Sequence, residues 1–360
     1  MIDIPLIRFD DLNKQIPAPS EEARAASKAH WDGIAKPLNG LGDFEEIVTR
    51  IAALTGSEDV CIDKRIVLVL CADNGVVAEG VTQTDASVTA TMAGEIARHR
   101  SSVCRMAAAA HADVVPIDIG INRRVSDVRD CHIADGTGNI AVGPAMTKEQ
   151  AYLAILTGID LVRECRAMGY QLIATGEMGI GNTTTSSAVA SVLLGLPVET
   201  VTGRGAGLSD EGLQRKISAI RRAIEVNRPE CGDALDVLAK LGGFDIAGMT
   251  GIFLGGALCG VPVVIDGLIS SVAALIAARL CPASKAAMIA SHCSAEPAAQ
   301  QILQELGLKA VLNAGLKLGE GTGAVCMMPL LDLVLSVYHN SASFTDTGVE
   351  QYVPQESDKR

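Results

Sequence analysis

Aromatic residues are scarce in this chain. Phe, Tyr and Trp make up 3% of its 360 residues, and there is one tryptophan. A reader of single-stranded nucleic acid stacks bases on aromatic platforms along a basic groove. The groove is missing too, because 42 acidic residues outweigh 30 basic ones and leave a net charge of −12. That sign also opposes a duplex backbone as partner. Cysteines number ten but form no CxxC pair. The intervals Cys61/Cys71 and Cys281/Cys293 suit no zinc site, and His30, His99, His111, His132, His292 and His339 have no ligand spacing, so no metal is expected. The thiols, several in apolar strings (Cys71, Cys259, Cys326), are expected to be free and buried, as in a reducing cytoplasm. Long apolar runs are also lacking. Residues 251–280 are broken by glycines, Pro262 and Asp266, which leaves too short a piece to span a bilayer. The opening "MIDIPLIRFDDLNK" has neither the basic start nor the apolar core of a signal peptide.

What is present is glycine, 36 residues of it, within a chain that is 48% hydrophobic. This is enough for a large core with many tight turns. The pattern predicts helices over 20–56, broken by Pro/Gly, then a buried strand over 65–75 and a helical stretch over 86–111. A second strand at 112–121 leads into a polar, loop-rich section that runs to Pro144. An amphipathic helix follows at 147–169, then a strand and turn at 170–182 and a helix at 183–195. Further helices are expected at 208–228, capped by Ser209, at 248–260, at 268–281 and at 297–308. Strands are expected at 261–267 and within 283–296, and the tail from Ser341 is expected to fray or wrap a neighbour. Strands alternating with helices imply a parallel sheet covered on both faces. Ligands bind at the carboxyl ends of such strands. Polar or glycine-rich residues stand at five of these ends: Asp73-Asn74-Gly75, Asp118, Glu177 to Thr184, Asp266-Gly267 and Ser291 to Glu296. Their convergence on one crevice suits a small-molecule enzyme.

Four stretches carry the chemistry. "GEMGIGNTTTSSA" (176–188) has P-loop spacing, but Asn182 stands where the lysine belongs. A glycine turn opening a helix still offers N–H groups and a positive dipole end to an anion. Without the lysine, one phosphate fits better than a triphosphate with magnesium; an ordinary turn with a threonine cap has the same spacing. "GRGAGLSDEGLQRK" (203–216) begins like a dinucleotide fingerprint but has Leu208 in place of the third glycine. It can close on the same phosphate, with Lys216 as point charge or as a plain solvated lysine. In "LNAGLKLGEGTGAVCMMP" (312–329), Glu320 stands between two glycines in apolar surroundings. That setting raises a carboxylate toward the range of a general base. "SHCSAEP" (291–297) lacks a nucleophile elbow, so His292 reads as a hydrogen-bonding scaffold residue.

Taken in order, nine segments resemble one family. They are "DGIAKPLNGLG", "CADNGVVAEGV", "GTGNIAVGPAMT", "GEMGIGNTTTSSA", "GRGAGLSDEGLQRK", "LGGFDIAGMTG", "VPVVIDGLISSVAAL", "SHCSAEPA" and "LGEGTGA". The family is the nicotinate-nucleotide:dimethylbenzimidazole phosphoribosyltransferases of cobamide lower-ligand assembly, and the likeness runs over about residues 15 to 340. It implies transfer of 5-phosphoribosyl from nicotinate mononucleotide to an aromatic base, with inversion at C1′ and no cofactor or metal. It implies Glu320 as base and Gly179, Gly205 and Lys216 as the phosphate grip. Glu177 would position the ribose or a water. Asp266, Gly267 and Ser294 would line the nucleotide side, Met178 and Leu318 would sandwich the acceptor ring, and Thr84 and Met92 belong to the acceptor segment.

The resemblance also implies a parallel, Rossmann-like α/β fold, residues 61–296, with a small helical domain built from 1–60 and 297–345, a polar tail at 346–360, a homodimer and a cytoplasmic setting. Two departures, Asn74 for histidine and Thr91 for glutamine, leave the acceptor open among benzimidazoles, adenine and phenols. A catalytically inactive nucleotide-binding paralogue partnering an active subunit, and a nicotinamide-dependent oxidoreductase, are the alternatives.

Overall fold

The structure, a computed structural model, describes residues 8–353. Half of the stretch read for a signal peptide, and the last residues of the tail, lie outside that range.

Helix α1 (Phe9–Gln15) precedes α2 (Glu21–Gly33), whose first turn is capped by the Ser20 hydroxyl accepting from Ala23 N at 3.1 Å. The expected Pro/Gly break follows, and then α3 (Asp43–Thr55), stopped by Gly56. Strand β1 (Arg65–Ala72) is buried at every residue, which explains its unbroken apolar run. The helical stretch after it is two helices rather than one, α4 (Ser87–Ala97) and α5 (Ser102–Ala109), because Ser101 restarts the helix as an N-cap. Strand β2 (Ala112–Gly120) comes next. Within the loop-rich section lies a short strand that the polar sequence gives no sign of, β3 (Arg129–Asp130).

Helix α6 (Lys148–Ala167) opens with a Thr147/Gln150 capping box. Then come β4 (Leu172–Met178), α7 (Asn182–Leu194), α8 (Val198–Val201), α9 (Asp210–Asn227), which is capped by Ser209 as expected, and α10 (Ala234–Leu241). Helix α11 (Phe244–Cys259), β5 (Val263–Ile265), α12 (Leu268–Leu280) and β6 (Met288–Ala290) follow. The chain closes with α13 (Ala299–Leu306), α14 (Thr322–Asn340) and α15 (Phe344–Thr347).

All strand pairs are parallel, and the sheet order is β3-β2-β1-β4-β5-β6. This is the doubly wound, Rossmann-like order the pattern implied, with its switch point between β1 and β4. One face of the sheet is covered mainly by α6, α7 and α9 to α13, the other by α2 to α5 and α14. Helices α6 and α11 touch backbone to backbone: a Cβ on Gly251 would lie 1.9 Å from Ile155 O, and one on Gly158 2.0 Å from Gly248 O. This approach is why "GMTGIFLGG" is so rich in glycine.

Both ends of the chain meet on the second face. The Trp31 and Tyr338 rings lie 4.7 Å apart, and the Tyr338 hydroxyl donates to Glu58 O at 2.9 Å. The described part of the tail neither frays nor leaves its own chain. Ala35 N donates to Ala342 O at 2.9 Å and Gln351 Nε2 to Asp32 O at 3.0 Å, so satisfied backbone groups pin it to the end of α2.

Among the described residues, α14 is the one helix long and apolar enough to cross a membrane by length and composition. It contains Pro329, and it packs against α3, α5 and β4. The cysteines are free, but burial is not uniform. Cys71, Cys104, Cys165 and Cys281 are buried, Cys259 and Cys326 are half-buried, and Cys61 and Cys231 are exposed because they sit in polar connections.

Candidate active site

A cavity of about 290 Å³ opens at the carboxyl ends of β4, β5 and β6. Three of the five polar strand ends line it: Glu177 to Thr183, Asp266-Gly267, and the His292 to Glu296 turn. The other two serve the neighbouring turns. Asp118 Oδ1 accepts from Gly120 N at 3.0 Å and Ile121 N at 2.8 Å, and Asp73 Oδ2 accepts from Asn122 N at 2.8 Å. These carboxylates stand at the ends of β1 and β2 and do not line the cavity, because both are spent on backbone N–H groups of the turn after β2.

One end of the cavity is built to hold an anion. Gly181 is the N-cap residue of α7 at φ +95°, and the 203–208 turn leads into α9 on the opposite side. Helix α8 rather than a strand precedes that second turn, which removes the dinucleotide reading. Lys216 lies fully buried behind both turns. Its Nζ donates to Thr183 Oγ1 at 2.9 Å and to Gly203 O at 3.1 Å. An ammonium has three hydrogens, so one remains for a ligand. Burial pushes this lysine down to about 8, against the pull of the Glu296 charge. Glu296 itself holds the second turn, with Oε1 accepting from Gly205 N at 3.0 Å.

Carboxylates also line the cavity or stand close behind it. Glu177, at the end of β4, faces Asn182, whose amide donates to Glu177 Oε2 and also to Asp245 Oδ2 at 2.9 Å. Burial raises Glu177 well above the ordinary glutamate range, and repulsion from Asp245, Asp266 and Glu320 adds to it, while the Asn182 hydrogen bond works the other way. Asp245 is pushed up to about 6, mainly by burial. Asp266 lines the cavity and also starts α14, accepting from Gly321 N at 3.3 Å and Ala324 N at 3.0 Å. Burial drives it and His292 toward their neutral forms. The Ser291 hydroxyl is spent on Ile265 O at 2.6 Å and lies 3.0 Å from His292 Nδ1. Its proton is committed to a carbonyl, so the pair is scaffold, as the missing elbow implied.

Glu320 holds a left-handed backbone at φ +60° between Gly319 at +84° and Gly321 at +93°. Such a run is open to glycine and strained for glutamate. The loop packs directly on β4, where a Cβ on Gly176 would lie 2.4 Å from Glu320 O. The carboxylate is buried and accepts from Val103 N at 3.2 Å, at the start of α5, and burial raises its pKa.

The structure therefore brings together Thr84, Glu177, Met178, Gly179, Gly205, Asp266, Gly267, Ser294 and Leu318 as cavity lining. Lys216 and Glu320 stand immediately behind it, joined to it through Thr183 and Gly319. Met92, on α4, lies outside the lining. Asn182 and Asp245 were not singled out as site residues. The available signal was that Asp245 is the only charge between Leu241 and Ile265. No group of His, Cys, Asp and Glu able to hold a metal occurs among the described residues.

Sheet order and cavity define a doubly wound α/β protein with a small-molecule pocket at its strand ends, built from an anion cradle and carboxylates. The sequence model of a family described as Phosphoribosyltransferase matches residues 16–349. The nicotinate-nucleotide–dimethylbenzimidazole phosphoribosyltransferase of Acetivibrio thermocellus is 45% identical over 330 residues, 90% of this chain and 93% of the relative. The enzyme of that name from Escherichia coli is 40% identical over 342 residues, 94% of this chain and 95% of the relative. The crystal structure of CobT from Thermus thermophilus superposes with a TM-score of 0.87 at 39% identity, covering 92% of this chain and 100% of that one. The chain belongs to the nicotinate-nucleotide–dimethylbenzimidazole phosphoribosyltransferase family.

Proposed function

We propose that this chain is the transferase its family name describes, moving 5-phosphoribosyl from nicotinate mononucleotide to an aromatic base of the 5,6-dimethylbenzimidazole type. The observation that carries this reading is one cavity that has buried Lys216 behind its two glycine turns, Glu177 in its lining and Glu320 buried just behind that lining. The phosphate takes the free N–H of Lys216 and the turns at Gly179 and Gly205. Asp266, Gly267 and Ser294 flank the ribose side. Met178 and Leu318 hold the acceptor ring, with Thr84 on the acceptor side. Leu318 is 55% exposed, which suits cover by a second subunit of a homodimer. The helical body made by both chain ends acts as a small domain that carries the Glu320 loop, and the setting is cytoplasmic.

In the reaction the acceptor nitrogen attacks C1′ as the bond to the pyridinium nitrogen breaks. The bonding pair goes to that nitrogen, so nicotinate leaves without needing a proton. The acceptor N–H proton passes to Glu320, whose burial suits it to take one. This requires the carboxylate to turn from Val103 N–H into the cavity. As the C1′ bond breaks the ribose gains positive charge, which the Glu177 carboxylate stabilises in its ionised form, a form that burial and its acidic neighbours oppose and the Asn182 hydrogen bond favours.

The test is nicotinate release from nicotinate mononucleotide with benzimidazole, 5,6-dimethylbenzimidazole, adenine and p-cresol supplied separately, with products followed by mass. A matching ribotide establishes the reaction and names the preferred base. No release with any acceptor overturns the reading in favour of a nucleotide-binding paralogue.

A further inference from the structure

The residue standing where a P-loop lysine belongs has a second use. Asn182 is buried at the first position of α7, and its amide nitrogen reaches two carboxylates, Glu177 Oε2 and Asp245 Oδ2, the latter at 2.9 Å. Asp245 is fully buried in the first turn of α11, and its other oxygen, Oδ1, accepts from Ile246 N at 2.9 Å. Two elements thus fix the amide: α7 by its backbone and α11 through Asp245. We infer that Asn182 is a positioning residue for the phosphoribosyl transfer, holding the Glu177 carboxylate in place and favouring its charged form, with Asp245 setting the orientation of the amide. The inference rests on the proposed role of Glu177.

The reasoning is one of supply and competition. Glu177 faces acidic groups from several elements: Asp245 on α11, Asp266 after β5 and Glu320 before α14. Its charge also reaches Cys71 on β1, and His292 faces Asp266 from the turn after β6. Among the described residues no cation bonds to the Glu177 carboxylate, and Asn182 is the donor that compensates its buried charge. A neutral donor favours the ionised form of an acid, and a neighbouring carboxylate opposes it. Removing the donor and removing the neighbour therefore push Glu177 in opposite directions.

The experiment measures kcat and KM for nicotinate release across pH in the full-length protein, for the parent chain, Asn182→Ala, Asn182→Asp and Asp245→Asn. Failure of the parent chain to release nicotinate would sink the functional reading, and the clamp with it. Given parent activity, the expected result is a kcat loss of roughly ten- to a hundredfold in Asn182→Ala, with KM for the nucleotide nearly unchanged. The acid limb of kcat should move to higher pH in Asn182→Ala and to lower pH in Asp245→Asn. Asn182→Asp keeps the volume but replaces the donor by another acceptor, so it should be at least as impaired as Asn182→Ala. A purely structural role predicts the reverse ranking of those two variants, and that ranking overturns the inference. So do limb shifts of the same sign in Asn182→Ala and Asp245→Asn. Should the Asn182 variants not fold, Asp245→Asn decides alone: a limb that stays put or moves up refutes the clamp.

Discussion

Replacing Lys216 by methionine should stabilise the empty protein at neutral pH while abolishing its grip on the nucleotide. The ammonium is fully buried and has been moved from a lysine's ordinary 10.5 to about 8. At about 1.36 kcal/mol per pKa unit this is a penalty of roughly 3.4 kcal/mol on the folded state wherever the lysine is charged. The sign follows from proton counting. Below pH 8 both folded and unfolded chains hold the proton and the penalty is complete. Between about 8 and 10.5 the unfolded chain holds a proton the folded chain has lost, so stability rises with pH, and above 10.5 the penalty is gone. By pH 9.5 about 2 kcal/mol of it has been relieved.

Methionine fills much of the same space without the charge. The net gain at pH 7 is smaller than the full penalty, because Thr183 Oγ1 and Gly203 O lose a donor, each at about 1 kcal/mol. That loss does not depend on pH. The advantage of the variant over the parent chain should therefore shrink by about 2 kcal/mol between pH 7 and 9.5. Across 360 residues this is roughly 3 °C in melting temperature, taking about 2.1 cal/mol/K of unfolding entropy per residue. Paired thermal melts at the two pH values, with nucleotide titration at pH 7, read both quantities. A stability difference that stays constant with pH, or nucleotide binding that survives the substitution, would refute the account of Lys216 as a charge held in strain for a phosphate.

Two further outcomes follow from the site and the core. Glu320→Gln should lower nicotinate release by roughly a hundred- to ten-thousandfold with nucleotide binding retained; in the parent chain the rate should rise with pH through a value above the ordinary glutamate 4.5, because burial raises both Glu177 and Glu320 and the rate needs both ionised. A full-rate glutamine variant would remove Glu320 as the base. Gly251→Ala puts a methyl group 1.9 Å from Ile155 O, so α6 and α11 must part, and a destabilisation of about 3 kcal/mol is expected in chemical denaturation; a loss under about 1 kcal/mol would show that the crossing can relax.

The sheet was legible because β1 is a continuous apolar run, β2 and β4 are rich in Val, Ile and Leu and end in polar or glycine residues, and helices alternate with them, α9 starting where Ser209 caps it. The two-residue β3 was not, because its Arg129 and Asp130 are exposed and polar and take strand geometry from β2 alone. The split between α4 and α5 was hidden by apolar spacing on both sides of it, although Ser101 marks the restart. At the site, glycine turns and the lone Glu320 announced themselves by composition. Which strand ends share a cavity did not, since Asp73 and Asp118 look as functional as Asp266 until their backbone partners are known. The Asn182 bridge joins residues 63 positions apart and leaves no local spacing to read.

The position of Glu320, after every described strand of the sheet, bears on the order in which the site is assembled. Every strand of the sheet and both glycine turns emerge from the ribosome before it, whereas the helix that seats it, α14, must still reach back to α2 and α3. A nascent chain can thus close its phosphate cradle while it still lacks its base. A product cut short near residue 315 would carry every described strand and both glycine turns but no Glu320 to deprotonate an acceptor, so it could hold a nucleotide without turning it over.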